Sequence, residues 1–133
     1  MSAIINFGPN QPTQVTLSAT AETRDALPNA VDIGRMCRLD LELVIVSLDV
    51  VAPVTIGICT GMRNDAEDGW LSNTATPSLN FFPMTTGTQH RSFTGLLRYV
   101  RWVVRPVPTG PQVGTNVFFY IRGMARGALG GRP

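Results

Sequence analysis

The stretch RLDLELVIVSLDVV, residues 38–51, decides the fold class of this chain. Four apolar residues recur at every second position from Leu39, whereas Asp40 and Glu42 occupy the alternate positions. Successive side chains of a β-strand point to opposite faces, so this alternation predicts a half-buried strand. From Val44 onward the stretch is apolar at nearly every position, which predicts cover on both faces.

Four other segments show strand-like patterns, and no long segment has the helical period. The predicted strands are residues 14–21, 38–51, 54–60, 94–105 and 117–122, with a further short strand within 79–82. Residues 22–32, 62–70, 71–92 and 106–114 are predicted loops. This succession predicts an all-β fold, a single antiparallel β-sandwich of jelly-roll or Greek-key type. The residues expected between its two sheets are Leu41, Leu43, Ile56, Ile58, Val100 and Trp102.

The chain has 133 residues, which is one domain's worth. Residues 1–14 show no periodicity and are predicted to form an extended N-terminal arm. The sandwich domain is predicted to span residues 15–123, and residues 124–133 to form a Gly/Arg-rich C-terminal tail.

Charge is sparse and unevenly distributed. Charged residues make up 15% of the chain, and all eleven basic residues are arginine. Residues 1–68 hold four arginines and nine acids, a net charge of −5, whereas residues 69–133 hold seven arginines and no acid. Either acidic strands pair with basic strands inside the domain, or an arginine-bearing face meets an anionic partner. Pairing within the domain is the simpler explanation.

Several function classes are not expected. There is no apolar run of about twenty residues, so membrane insertion is not predicted. The N-terminal residues lack the charged and apolar regions of a secretory signal peptide. The net charge of +2 is small for a nucleic-acid-binding protein, so a nucleic-acid partner is not expected.

The residues do not predict catalysis, a metal or a cofactor. His90 is the only histidine, and it falls in a polar stretch where solvent exposure is expected. Cys37 and Cys59 form no CxxC motif and are expected to be buried free thiols. The acidic cluster at residues 64–68 lacks the spacing of a calcium loop, and Asp68-Gly69 is typical of a turn.

Two strands carry candidate interface residues. Phe118, Tyr120 and Arg122 share one face of the last predicted strand. In the strand before it, alternation turns Trp102 inward and leaves Tyr99, Arg101 and Arg105 on the outside. Tyrosine, phenylalanine and arginine are enriched at subunit interfaces, which makes these six residues the candidate contact surface.

Three segments, LDLELVIVSLDV, IGICTGMRNDAEDGW and LLRYVRWVVR, together resemble the small β-sandwich head-decoration and accessory virion proteins of tailed phages and phage-like particles. The resemblance implies a non-enzymatic structural protein of a virion, made in the host cytoplasm. Its expected partners are further copies of itself and a capsid or other virion protein. The alternative is a jelly-roll module that binds a glycan or another surface ligand through loop residues such as Trp70 and Tyr99.

Overall fold

A computed structural model describes residues 2–7, 13–16, 23–34, 36, 38–49, 54–71, 77–83, 85–106 and 116–127. Within these ranges the chain is nearly all β, with nine strands in two antiparallel sheets and no α-helix. The predicted β-sandwich is therefore confirmed. The described part of the chain also contains no helix with the length and apolar character needed to cross a membrane.

The strands are divided between two sheets. The first sheet contains β1 (Ser2–Phe7), β2 (Thr13–Thr16), β5 (Arg38–Leu48), β7 (Gly87–Phe93) and β9 (Asn116–Arg126). The second sheet contains β3 (Thr23–Arg24), β4 (Val31–Asp32), β6 (Val54–Gly61) and β8 (Tyr99–Pro106). Two 3₁₀ turns, Leu27–Asn29 and Pro77–Leu79, lie in the connections.

The two longest strands, β5 and β9, form the centre of the first sheet. They pair antiparallel, β1 and β2 follow the other edge of β9, and β7 follows the other edge of β5. The register shifts where Ile45 faces Phe119 and Ser47 faces Phe118, so Val46 is an extra residue in a β-bulge. Val46 is consequently 51% exposed.

In the second sheet β8 is central. All eight residues of β6 pair with β8, and β3 and β4 pair with its other edge. The inner faces of the two sheets enclose the main hydrophobic core. There Trp102 of β8 meets Phe119 of β9 edge to face, with ring centroids 5.4 Å apart. The six residues predicted for the core all belong to it, which confirms the register of β5, β6 and β8.

The predicted loop at residues 71–92 was wrong in part, because it contains β7. This strand lies at a sheet edge and its sequence, GTQHRSF, has a single large apolar residue, so no alternating pattern marks it. Leu79 and Phe81 are buried, but the chain there forms a 3₁₀ turn and a single bridge instead of the short strand expected. The lone histidine is thus placed on a strand.

Other boundaries also differ from the sequence prediction. The predicted loop 22–32 contains the two-residue strands β3 and β4, which are too short to show a period. The strand predicted from residue 94 begins at Tyr99, because Gly95 has a φ of +70° and turns the chain after β7. Residues 2–7 of the predicted arm pair with β9, which itself continues to Arg126. Residues 17–22, 107–115 and 128–133 lie outside the described residues.

Candidate interaction surface

The outer face of the first sheet consists of those residues of β5, β7 and β9 that alternate with core residues. None of the following members is buried: Arg38, Asp40, Glu42, Val44, Val46, Thr88, His90, Ser92, Phe118, Tyr120, Arg122, Met124 and Arg126. The face is therefore open to solvent or to a partner along the full length of its two central strands.

One half of this face is charged. Glu42 of β5 contacts Arg122 of β9 at 3.0 Å and His90 of β7 at 2.9 Å. Asp40 contacts the Arg126 guanidinium at 2.7 Å, and Arg38 also donates to it. Acids on β5 are thus flanked by cations or polar groups on both neighbouring strands.

These contacts favour the ionised form of both acids. Hydrogen bonding to His90, and then to Arg122, holds the pKa of Glu42 below its ordinary value despite some burial. Partial burial raises the pKa of Asp40, but hydrogen bonds from Ser92 and Arg38 outweigh it, so its pKa also lies below the usual range. Both acids are therefore anions at neutral pH.

The other half of the face is apolar. Val44 of β5 lies directly opposite Tyr120 of β9, and Phe118 lies beside the bulge at Val46. These four side chains are half-buried or exposed. The Arg122 guanidinium stacks over the Tyr120 ring with 5.3 Å between its carbon and the ring centroid, which joins the apolar half to the charged half.

The outer face of the second sheet is covered by the chain itself. Residues 62–71 fold back over it, and the backbone of Leu71 bonds to Thr60 of β6. Trp70 is buried against Cys59 and Val103. Its indole donates a hydrogen bond of 2.9 Å to the carbonyl of Ala66, which fixes the loop in this position.

Arg101 lies at the centre of this covered region. Its guanidinium is fully buried, and donates to both carboxylate oxygens of Glu67, at 3.1 and 2.8 Å. It also donates to the Asp25 carbonyl at 2.7 Å and stacks on Trp70 with 4.1 Å to the ring centroid. These four residues are called the Arg101 cluster below.

The six candidate interface residues do not form one surface. Phe118, Tyr120 and Arg122 lie together on the open face of the first sheet. Tyr99, Arg101 and Arg105 belong to β8, whose outer side faces away from the first sheet. The prediction that Arg101 stays outside was wrong about exposure, since residues 62–71 cover it. Tyr99 and Arg105 are half-buried.

Of the two residues proposed for a glycan site, Tyr99 is half-buried on β8 and Trp70 is buried. Trp70 is only 8% exposed and packs on the backbone of Gly61. The Asp68-Gly69 turn is confirmed, since Gly69 has a φ of +80°. Among the described residues no cluster of His, Cys, Asp and Glu is placed to hold a metal ion. Cys59 is buried, whereas Cys37 lies outside the described residues.

An open depression of about 590 Å³ lies over the charged half of the first sheet's outer face. Its polar walls come from Asp40, Glu42, His90, Ser92 and Arg122. Each of these side chains already has a partner within the chain. The arrangement can contribute directional, charge-assisted contacts to another molecule.

No protein-family model and no curated protein matches this chain. Among solved structures, the tobacco streak virus coat protein is similar to it. One such structure is 19% identical with a TM-score of 0.31, covering 91% of this chain and 90% of that one. A structure of the tobacco streak virus coat protein dimer is also 19% identical, with a TM-score of 0.29, covering 91% and 89%. TM-scores this low do not establish a common fold.

Sequence reasoning missed part of the charged surface. The acids at 40 and 42 were placed on the outer side of their strand, but their partners come from strands about 50 to 80 residues later. The strand was predicted to end at residue 122, so Arg126, which continues the same alternation on β9, was not assigned to the face. No sequence pattern marked His90 as part of the face, because β7 was not recognised as a strand.

Proposed function

We propose that this chain is a non-enzymatic structural protein of a virus or phage-like particle, which acts through self-association or by binding the lattice of a capsid protein. A head-decoration or accessory role fits the sequence resemblance of its strands. The observation that carries the proposal is the outer face of the first sheet, which is open although half of it is apolar.

The contrast between the two outer faces supports this proposal. The chain covers the second sheet with its own residues 62–71, and buries Trp70 in doing so. On the first sheet Phe118 and Tyr120 are left half-buried, with Val46 exposed beside them. Aromatic and arginine side chains such as these are enriched at subunit interfaces.

Solution mass tests the proposal. Sedimentation velocity over a wide concentration range is expected to show reversible assembly of the purified chain. Phe118→Ala and Tyr120→Ala should each weaken assembly and leave the melting temperature close to that of the wild type, because neither side chain belongs to the core. The matched control is Phe82→Ala, which removes an aromatic ring that is 63% exposed elsewhere on the molecule.

Two results would contradict the proposal. One is a monomer at every concentration together with absence of the chain from purified particles. The other is a loss of assembly in Phe82→Ala equal to that in Tyr120→Ala. In the first case binding of glycans by the monomer becomes the leading hypothesis, and a glycan array with the purified chain examines it.

A further inference from the structure

The two central strands of the open face carry unlike charge. On β5 the acids Asp40 and Glu42 lie side by side, and on β9 Arg122 faces Glu42 while Met124 faces Asp40. Toward the other end of the same strands the face becomes apolar, with Val44 opposite Tyr120. Charge therefore differs between the two central strands, and polarity changes from one end of these strands to the other.

We propose that this face binds the same face of a second copy about a two-fold axis parallel to the strands and midway between β5 and β9. This arrangement rests on the proposed function and specifies its partner and geometry. A two-fold operation places the same patch on both subunits, so each residue contact occurs twice. Here β5 of each copy lies over β9 of the other.

The register within the sheet determines what meets across the axis. Each residue of β5 pairs with one residue of β9 in its own sheet, and across the axis it meets that same β9 residue of the second copy. Glu42 therefore meets Arg122 of the second copy, and Val44 meets Tyr120 of the second copy. Glu42 gains a second cation while keeping Arg122 of its own chain, Asp40 meets Met124 of the second copy, and apolar surface meets apolar surface.

Other axes are less favourable. An axis in the same plane but perpendicular to the strands places the charged half of one copy on the apolar half of the other, which removes water from the charges and supplies no new partner. An axis centred on β5 alone places acids over acids. Among the described residues of β5 and β9, the proposed arrangement brings like charges together only at Arg38 and Arg126 of the second copy. Both are at least half exposed at the rim, and both are bonded to Asp40 in their own chain.

The size of the face suits a specific contact. Strands about 4.8 Å apart with about 3.3 Å per residue give the face formed by β5, β7 and β9 a projected area of roughly 460 Å², before side-chain relief is added. The smallest specific interfaces bury roughly 500 Å² on each partner. The open face therefore reaches that size only if nearly all of it is used, as it is about the proposed axis.

Two charge reversals test the arrangement. Glu42→Arg leaves two cations at the paired positions 42 and 122, and Arg122→Glu leaves two anions there. Each variant alone is expected to associate at least about tenfold more weakly than the wild type, since like charges then oppose each other across the interface. An equimolar mixture of the two is expected to associate within about threefold of the wild type, because both contacts across the axis become attractive again.

Controls separate this result from other causes. The exposed pair Asp32–Arg98, at 2.9 Å, is distant from the face. Asp32→Arg and Arg98→Glu change the net charge by the same amounts and should associate as the wild type does. Mixing Glu42→Arg with Arg98→Glu should not restore association, which excludes attraction between net charges. Where a reversal prevents folding, the wild type is measured in rising salt, which should weaken its association.

The outcomes distinguish the two proposals. Association of the wild type without rescue in the mixture overturns the two-fold pairing of β5 with β9 and leaves the proposed function standing. Association of the wild type that is insensitive to salt overturns it in the same way. A wild-type chain that never associates overturns the two-fold pairing, and it overturns the proposed function as well when the chain is also absent from purified particles.

Discussion

Removing the carboxylate of Glu67 should destabilise the fold through the Arg101 cluster. Within the described residues the Arg101 side chain makes three hydrogen bonds, and in Glu67→Ala it loses two of them and retains the one to the Asp25 carbonyl. Its Nε already lacks a partner within the described residues. The variant therefore leaves a buried cation without a counter-ion.

The magnitude follows from burial. Breaking a fully buried ion pair costs about 3–5 kcal/mol, and hydrogen bonds to charged groups contribute about 1.5–3 kcal/mol each. Glu67 is 60% exposed, so water screens the pair and partly replaces the lost oxygen atoms. We expect a loss of about 2–3 kcal/mol, which lowers the melting temperature of a domain of this size by about 6–15 °C.

Thermal and urea unfolding of a double-mutant cycle provide the assay. Arg101→Met removes the buried charge and keeps much of its apolar stem, so Glu67→Ala should cost less than about 0.5 kcal/mol in that background. Asp65→Ala is the matched control, since it removes another carboxylate of the same loop whose partner, Arg63, is exposed. The reasoning is refuted if Glu67→Ala melts like the wild type, or costs as much with Met at position 101.

Three further predictions concern stability. Trp102→Ala should cost about 3–5 kcal/mol in chemical unfolding, because it removes a core ring packed on Phe119, and a much smaller loss would contradict the assigned register. Gly61→Ala should displace Trp70, whose ring atoms lie as close as 2.7 Å to the added methyl group, and near-wild-type stability and tryptophan fluorescence would exclude this close packing. Hydrogen bonding to Arg101 lowers the pKa of Glu67 in the folded chain, so the unfolded chain binds more protons and stability is lost as pH falls below the ordinary value of about 4.3. Glu67→Gln should therefore show a shallower loss of stability in acid than the wild type, and equal slopes would exclude the linkage.

The core was predictable because its strands are long and have one apolar face. The alternation from Leu39 to Ile45 and from Val54 to Ile58 is a local signal, and the structure confirms it. The bulge at Val46 was not predictable, since it depends on the pairing of β5 with β9 and not on β5 alone. Edge strand β7 was missed because its inward residues Gln89 and Arg91 are polar, like its outward residues, so the sequence does not alternate.

The covering of β8 could not be inferred from local pattern. Alternation correctly separates Arg101 from Trp102 onto opposite faces of the strand. Whether the outer side is exposed depends on residues 62–71, which lie at least thirty positions before Arg101 and contact it through Glu67. The glycine at 61, which makes room for Trp70, was the one local sign of that approach.

Photo-cross-linking from within the open face tests the central claim most directly. A photoreactive phenylalanine analogue replaces Tyr120 in one variant and Phe82 in the other. Both full-length variants are irradiated in their assembled state. Covalent dimers should form from position 120, with cross-linked peptides from residues 38–48 of a second copy, and not from position 82. Dimers that form only from position 82, or cross-links from position 120 confined to its own chain in assembled samples, would contradict a subunit interface on the outer face of the first sheet.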